Sequence, residues 1–152
     1  MLVLAQGAVI YRRGEFEMEG FRKVLEVNLM SLMACATKFH AMLSASQGSL
    51  IIVSSTAAYH STMGNPAYNA SKTGAVGLTR TLGEAWAENG IRVCEIDPGR
   101  VKTDFSLNRF KGDEARARKV YEGKHNLTAE DVAEAVRWVA SLPAHVNIDT
   151  MS

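Results

Sequence analysis

A chain of 152 residues and 16.6 kDa has room for one domain and rarely for two. Seventeen lysines and arginines against sixteen aspartates and glutamates leave a formal charge of +1, too little for a strong overall field toward nucleic acid or an anionic membrane. No apolar run approaches the roughly 18 residues of a membrane span. The apolar start has no basic leader and no small-residue cleavage site, so no secretory signal is expected. The two cysteines, Cys35 and Cys94, fall in a helical and a strand pattern. They read as buried thiols in a reducing compartment, which points to the cytoplasm.

In chain order, residues 1–5 (MLVLA) are a continuous apolar run, expected to form a strand covered on both faces. Residues 21–43 carry Phe21, Val24, Leu25, Leu29, Leu32 and Met33 at helical spacing, and Gln47-Gly48 ends the pattern. Residues 49–54 (SLIIVS) read as a second strand. Pro66 opens a long helix, where its missing N–H costs nothing, and Asn89-Gly90 closes it after about residue 88. Residues 91–96 (IRVCEI) form a third predicted strand, ended by Pro98-Gly99. A charged helix is expected over 113–122. Another begins near Thr128, whose hydroxyl with Asp131 suggests a capping box, and residues 146–151 are a candidate fourth strand.

Strands alternating with helices of this length predict an α/β fold on a parallel sheet, with ligands bound outside the carboxyl ends of the strands. Ser55 and Asp97-Pro98-Gly99 stand at those ends. The strongest signal lies in the first turns of the long helix, at Tyr68-Asn69-Ala70-Ser71-Lys72. Tyr68 and Lys72, four residues apart, share a helical face, where an ammonium stabilises a phenolate and lowers a pKa that starts near about 10. Such a tyrosine can give and recover a proton near neutral pH. Taken alone, the pair reads better as a surface lysine beside a half-buried tyrosine. Ser55 adds a hydroxyl that could reach the same carbonyl oxygen, and Asn28 adds an amide in the middle of a predicted helix.

Together these residues resemble the short-chain dehydrogenase/reductase family. The resemblance rests on Val27-Asn28-Leu29, Ile52-Val53-Ser54-Ser55, Tyr68-Asn69-Ala70-Ser71-Lys72 with Gly74, and Asp97-Pro98-Gly99-Arg100-Val101-Lys102-Thr103-Asp104. Residues 109–148 look more narrowly like its NADP-dependent 3-hydroxy acid (serine-type) dehydrogenases. The implied fold is a partial Rossmann-like, doubly wound parallel sheet with about four strands of the usual seven. The implied activity is hydride transfer between NADP or NAD and the carbonyl or secondary alcohol of a small molecule, possibly a hydroxy acid. By the same resemblance Tyr68 is the general acid or base, and Lys72 lowers its pKa and binds the nicotinamide ribose. Ser55 polarises the substrate oxygen, and Asn28 holds a water that links Lys72 to solvent. Gly7, Pro98, Gly99, Val101 and Thr103 would border the cofactor together with Tyr68 and Lys72.

The sequence also departs from the family pattern. Where the family's strand ends in Asn-Asn-Ala-Gly, this chain has Leu4-Ala5-Gln6-Gly7, and only the glycine survives. The early glycines, Gly7, Gly14 and Gly20, fit no phosphate-loop spacing. At roughly 30 residues per strand–helix unit, three absent units amount to on the order of 90 residues. Residues 1–152 are therefore expected to be a single partial domain without the glycine-rich first units, with a bare first-strand edge and weak cofactor binding. A catalytically silent association module is the alternative function. Small residues along 66–88 suit either close packing on the sheet or a homo-oligomer interface shared with 21–43. Met18, Met30, Met33, Met42 and Met63 read as core or substrate-lining residues. The four histidines show no metal-ligand spacing, and no metal is expected.

Overall fold

The computed structural model describes residues 1–10, 12–60 and 64–152; Met63, assigned above to the core or substrate lining, lies outside the described residues. Strand β1 (Leu2–Leu4) leads through helix α1 (Met18–Leu25), a wide π-turn (Glu26–Met30) and helix α2 (Ser31–Ala45) to β2 (Ser49–Val53). Helix α3 (Pro66–Trp86) then connects to β3 (Arg92–Ile96). Helices α4 (Phe105–Arg109), α5 (Glu114–Tyr121) and α6 (Ala129–Ser141) lead to β4 (Thr150–Met151).

The four strands are parallel and lie side by side in chain order, as helical crossovers between parallel neighbours require. Residues alternate between two apolar layers. Leu50, Ile52 and Val93 join Leu32, Ala36, Ala75 and Leu82 of α2 and α3 on one face. Ile51, Cys94 and Ile96 join Val139 of α6 on the other. Burial on both faces explains why these strands read as unbroken apolar runs.

Local chemistry sets the ends of the elements. Pro66 occupies the first turn of α3, and Gly90 (φ 70°) ends the short 3-10 turn Ala87–Asn89 that follows it. A Cβ at Gly90 would also come within 3.1 Å of the Gln47 amide nitrogen, so this crossing favours glycine on both counts. Thr128 and Asp131 form the expected capping box at α6.

Several expectations need correction. The helix over 21–43 is two helices joined by the π-turn. The strand over 146–151 shrinks to Thr150–Met151, and Asn147 bonds instead to Asp149 and the Val93 carbonyl. Helix α4 falls in a stretch without helical periodicity and was missed. Met18, Met30, Met33 and Met42 are exposed rather than core, because they lie on faces of α1, the π-turn and α2 that no other described element covers. Cys94 is buried, and burial pushes its thiol up to about 11, whereas Cys35 is half-buried. Strand β1 pairs only with β2, so its other edge has no partner among the described residues.

Candidate active site

A cavity of about 740 Å³ opens at the carboxyl ends of β1, β2 and β3, where a parallel sheet binds its ligands. Its walls include Gly7, Ser55, Tyr68, Lys72, Pro98, Gly99, Val101 and Thr103, so all but one of the sequence-predicted site residues meet there. Asn28 is the exception. It is fully buried in the π-turn behind the cavity wall.

Asn28 braces the structure. Its Nδ2 donates to the Ala8 carbonyl (2.8 Å) and to Ser71 Oγ (3.0 Å), while its Oδ1 accepts from the Ala8 N–H (2.6 Å). A π-turn inside a helix turns a side chain out of the ordinary ladder, and such turns occur often at functional sites. Here it hands the Asn28 amide to the loop after β1 and to α3 together. Gln6 adds a second brace through Nε2 to Ser31 Oγ (2.9 Å). Thus one amide still ties this loop to α2, although the family's asparagines are absent.

The start of α3 is held by groups that the sequence did not reveal. Asn65 stands at the cap position without a capping bond of its own. The buried Glu15 carboxylate takes over, accepting from the Tyr68 N–H (3.1 Å) and the Ile10 N–H (3.0 Å). An anion at a helix N-terminus also meets the favourable end of the helix dipole. Asn65 donates to the Ile10 carbonyl and accepts from Arg109 Nη2 (2.9 Å), which ties α4 to the same corner.

Ser55 is extended and caps the turn Thr56–Ala58, its Oγ accepting from the Ala57 N–H (3.1 Å). That leaves its proton to donate, and the Ser55 hydroxyl acts on the Tyr68 phenol across the same wall, pulling its pKa down. Lys72 is 4 % exposed. Its Nζ donates to the Val53 carbonyl (3.1 Å) and lies 5.8 Å from the centre of the Tyr68 ring.

The electrostatics differ from the sequence expectation. Burial raises the Tyr68 phenol above its ordinary 10, with the Glu15 carboxylate pushing the same way. The Ser55 hydrogen bond and the Arg109 guanidinium offset part of this. Burial lowers Lys72 to about 8, against an upward pull from Glu95 and Asp97. Desolvation leads for both groups, and neither group figures among the causes that shift the other, so the expected lowering of the phenol by the ammonium is not what sets this site.

Arg109, Arg100, Lys72 and His60 line the cavity, and no aspartate or glutamate lines it among the described residues. Arg109 and His60 are site residues that sequence reasoning missed. Arg109 had no signal beyond being one of many basic residues, since the contact that places it joins residues 44 apart.

The residues fit the nicotinamide–ribose end of a dinucleotide. Hydrogen-bonding to Val53 leaves Lys72 two further N–H donors, and a Cβ at Gly99 would meet nothing within 4 Å, so the strand end is open. No glycine-rich phosphate loop occurs in the 152 residues.

Comparison with known proteins agrees with this geometry. Residues 4–146 match a family model of the short-chain group described as enoyl-(acyl carrier protein) reductase. The chain belongs to the short-chain dehydrogenase/reductase family. An uncharacterized oxidoreductase of Mycobacterium tuberculosis is 37% identical over 134 residues, which is 88% of this chain and 53% of the relative. The NADP-dependent 3-hydroxy acid dehydrogenase YdfG of Escherichia coli K12 is 41% identical over 111 residues, 72% of this chain and 45% of the relative. A serine dehydrogenase structure in its closed form with NADP+ superimposes with a TM-score of 0.91 at 32% identity, covering 99% of this chain and 63% of that one. The chain spans about half the length of the curated relatives it matches.

The buried Lys72 ammonium has a cost that depends on pH. Its folded value near 8 lies below the ordinary 10.5, so from 8 to 10.5 the unfolded chain binds more protons and stability rises with pH. Lys72→Met should flatten that rise. Urea unfolding at about pH 8 and about pH 10 measures it; a rise as steep in the variant as in the unmodified chain contradicts the account.

Proposed function

We propose that this chain carries the catalytic and substrate-binding part of an oxidoreductase that interconverts a carbonyl and a secondary alcohol with NADP(H) or NAD(H). The observation that carries the reading is the meeting of Ser55, Tyr68 and Lys72 on one wall of a cavity at the strand ends. In carbonyl reduction Ser55 donates a hydrogen bond to the substrate oxygen and orients it. Tyr68 gives its phenolic proton to that oxygen as negative charge develops there. A phenol raised above 10 stays protonated at neutral pH, so this wall suits proton donation. The hydride would come from, or go to, a bound nicotinamide. Lys72 would hold the ribose hydroxyls with its spare donors, and Gly7, Pro98, Gly99, Val101 and Thr103 would border the ring. Asn28 acts as a positioning residue through Ala8 and Ser71.

A hydroxy acid is the substrate class that best suits the cavity. Arg109 brings a cation, fixed by Asn65 and flanked by the Phe110 ring, to a pocket without lining carboxylates. The named relative that acts on 3-hydroxy acids supports the same choice. Within the family pattern, residues 1–152 are one partial Rossmann-fold domain, and the phosphate half of the cofactor needs chain not among them. We place the protein in the cytoplasm on its two unpaired cysteines. It would associate with its own kind through 21–43 and 66–88, where Met30, Met33 and Met42 are exposed on the first segment. Among the described residues, no helix is long and apolar enough to cross a membrane.

Two variants test the reading in an NADPH-dependent assay with 2-oxo and 3-oxo acids. Tyr68→Phe should lower kcat at least about 100-fold with its fold intact, because it removes the proton donor alone. An unchanged rate would contradict the assignment, and no measurable rate in the unmodified chain would favour the silent association module. Arg109→Gln should raise KM for the acids by about 10-fold or more, while leaving uncharged ketones within about twofold. Equal losses for acids and ketones would contradict the hydroxy-acid reading.

A further inference from the structure

Behind the wall that carries Tyr68 and Lys72 stand two acidic side chains that the proposed reaction does not use. Glu95 in β3 and Asp97 just beyond it are 0% and 1% exposed. Two residues apart on extended chain, they share the face of Val93, the face covered by α3. Ile52 pairs with Glu95 and Val53 with Ile96, so Ser54 runs beside Asp97. Ser54 Oγ donates to the Lys72 carbonyl (3.3 Å), and Lys72 Nζ donates to the Val53 carbonyl. The lysine and the two carboxyls therefore gather around Val53 and Ser54 at the end of β2.

The two carboxyls are poorly provided for. Asp97 Oδ2 accepts from the Tyr59 hydroxyl (3.2 Å) and from Ser152 Oγ (3.5 Å). Asp97 Oδ1 and both Glu95 oxygens are buried without a hydrogen bond of good geometry. Two ionised carboxylates in such a place would be costly unless a cation or a shared proton compensates. The charged and titratable groups around them are few. Helix α3 presents Lys72 and Arg80, the turn after β2 presents Tyr59, β3 itself has Cys94, and the segment before β4 has Asp149. Arg80 is exposed, whereas Lys72 is the one lysine, arginine or histidine that is buried among the described residues.

We propose that Glu95 and Asp97 form a carboxyl pair that shares one proton and whose single negative charge is the counter-charge that holds Lys72 as an ammonium. The pair touches neither substrate nor cofactor. Its members are positioning residues acting through Lys72, and the inference rests on the role given to Lys72 above. Charge balance supports it, since one shared proton leaves −1 against the +1 of the lysine. The directions of titration agree. Glu95 is pushed up to about 7, by burial first and by Asp97 second, and burial also raises Asp97. Both carboxyls pull Lys72 upward against its own burial. Two carboxyls in contact titrate as a unit with separated steps, so the upper step belongs to the pair.

The arrangement has a signature that ordinary packing would not give. The intact pair passes from −1 to −2 at its upper step, whereas a single remaining carboxyl stays at −1 across the same interval. Only removing both takes the charge away. Nuclear magnetic resonance of the full chain labelled at lysine side chains and at aspartate and glutamate carboxyls reads this without any turnover. Loss of one lysine signal in Lys72→Arg assigns Lys72.

In the unmodified chain, a carboxyl step near pH 7 should appear, and the Lys72 signal should inflect in the same interval. Glu95→Gln and Asp97→Asn should each abolish that step and lower the Lys72 midpoint part of the way, while the double variant should lower it further, by about one pH unit or more in all, a tenfold loss of proton affinity. An unchanged Lys72 midpoint in the folded double variant overturns the proposal. So does a carboxyl pair that finishes titrating below pH 5 in the unmodified chain, or a Lys72 signal that passes pH 7 without inflection. The last two need no variant to fold. Because none of these readings depends on activity, an inactive enzyme would count against the oxidoreductase reading and leave this one standing or falling by itself.

Discussion

The site depends on how the first turns of α3 are fastened to the sheet. A helix start carries unpaired N–H groups, and here the buried Glu15 carboxylate takes the one at Tyr68. One turn later Lys72 is fastened twice to β2, through its own carbonyl to Ser54 and through its ammonium to Val53. Asn28 and Ser71 add a link to the π-turn. Since Ser55 follows these strand residues directly, fixing α3 on β2 also fixes the Tyr68 phenol against the Ser55 hydroxyl. Gly74 permits the close approach on the other side, where a Cβ would stand 2.8 Å from Leu29 Cδ2.

That fastening places polar groups in a dry wall, and desolvation then governs their chemistry. The phenol goes up and the ammonium comes down, each toward its neutral form. A neutral phenol keeps a proton to give, whereas a lysine needs charge beside it to keep its proton. Acidic residues one strand further in can supply that charge without entering the cavity, whose charged lining residues among those described are lysine and arginine. The division between a cationic cavity and an anionic support behind it follows from alternation along β2 and β3.

Much of this was legible in the sequence. The apolar runs at β2 and β3, Pro66 at the start of α3 and the Thr128–Asp131 cap are local signals, and each appeared where local chemistry put it. The meeting of Ser55, Tyr68 and Lys72 was readable because strand ends and helix starts face one edge of a parallel sheet. Other features were not local. Glu15 reaches Tyr68 across 53 residues, and nothing near Glu15 marks it as a helix cap. The π-turn at Asn28 leaves the apolar spacing of residues 21–43 almost undisturbed, so periodicity alone reads one helix. Helix α4 is five residues long, too short to show a period. The exposed methionines were misread because apolar character says nothing about which face a neighbour will cover.

The central claim is geometric: one hydroxyl and one phenol are held ready to grip a single oxygen atom before any ligand arrives. A crystal structure of the free chain tests it most directly. The account requires Ser55 Oγ and Tyr68 Oη within about 5 Å of each other, so that one oxygen can sit in hydrogen-bond reach of both, with the Tyr68 N–H on the Glu15 carboxylate. Oxygens separated by more than about 6 Å, or a first turn of α3 released from Glu15, would contradict it.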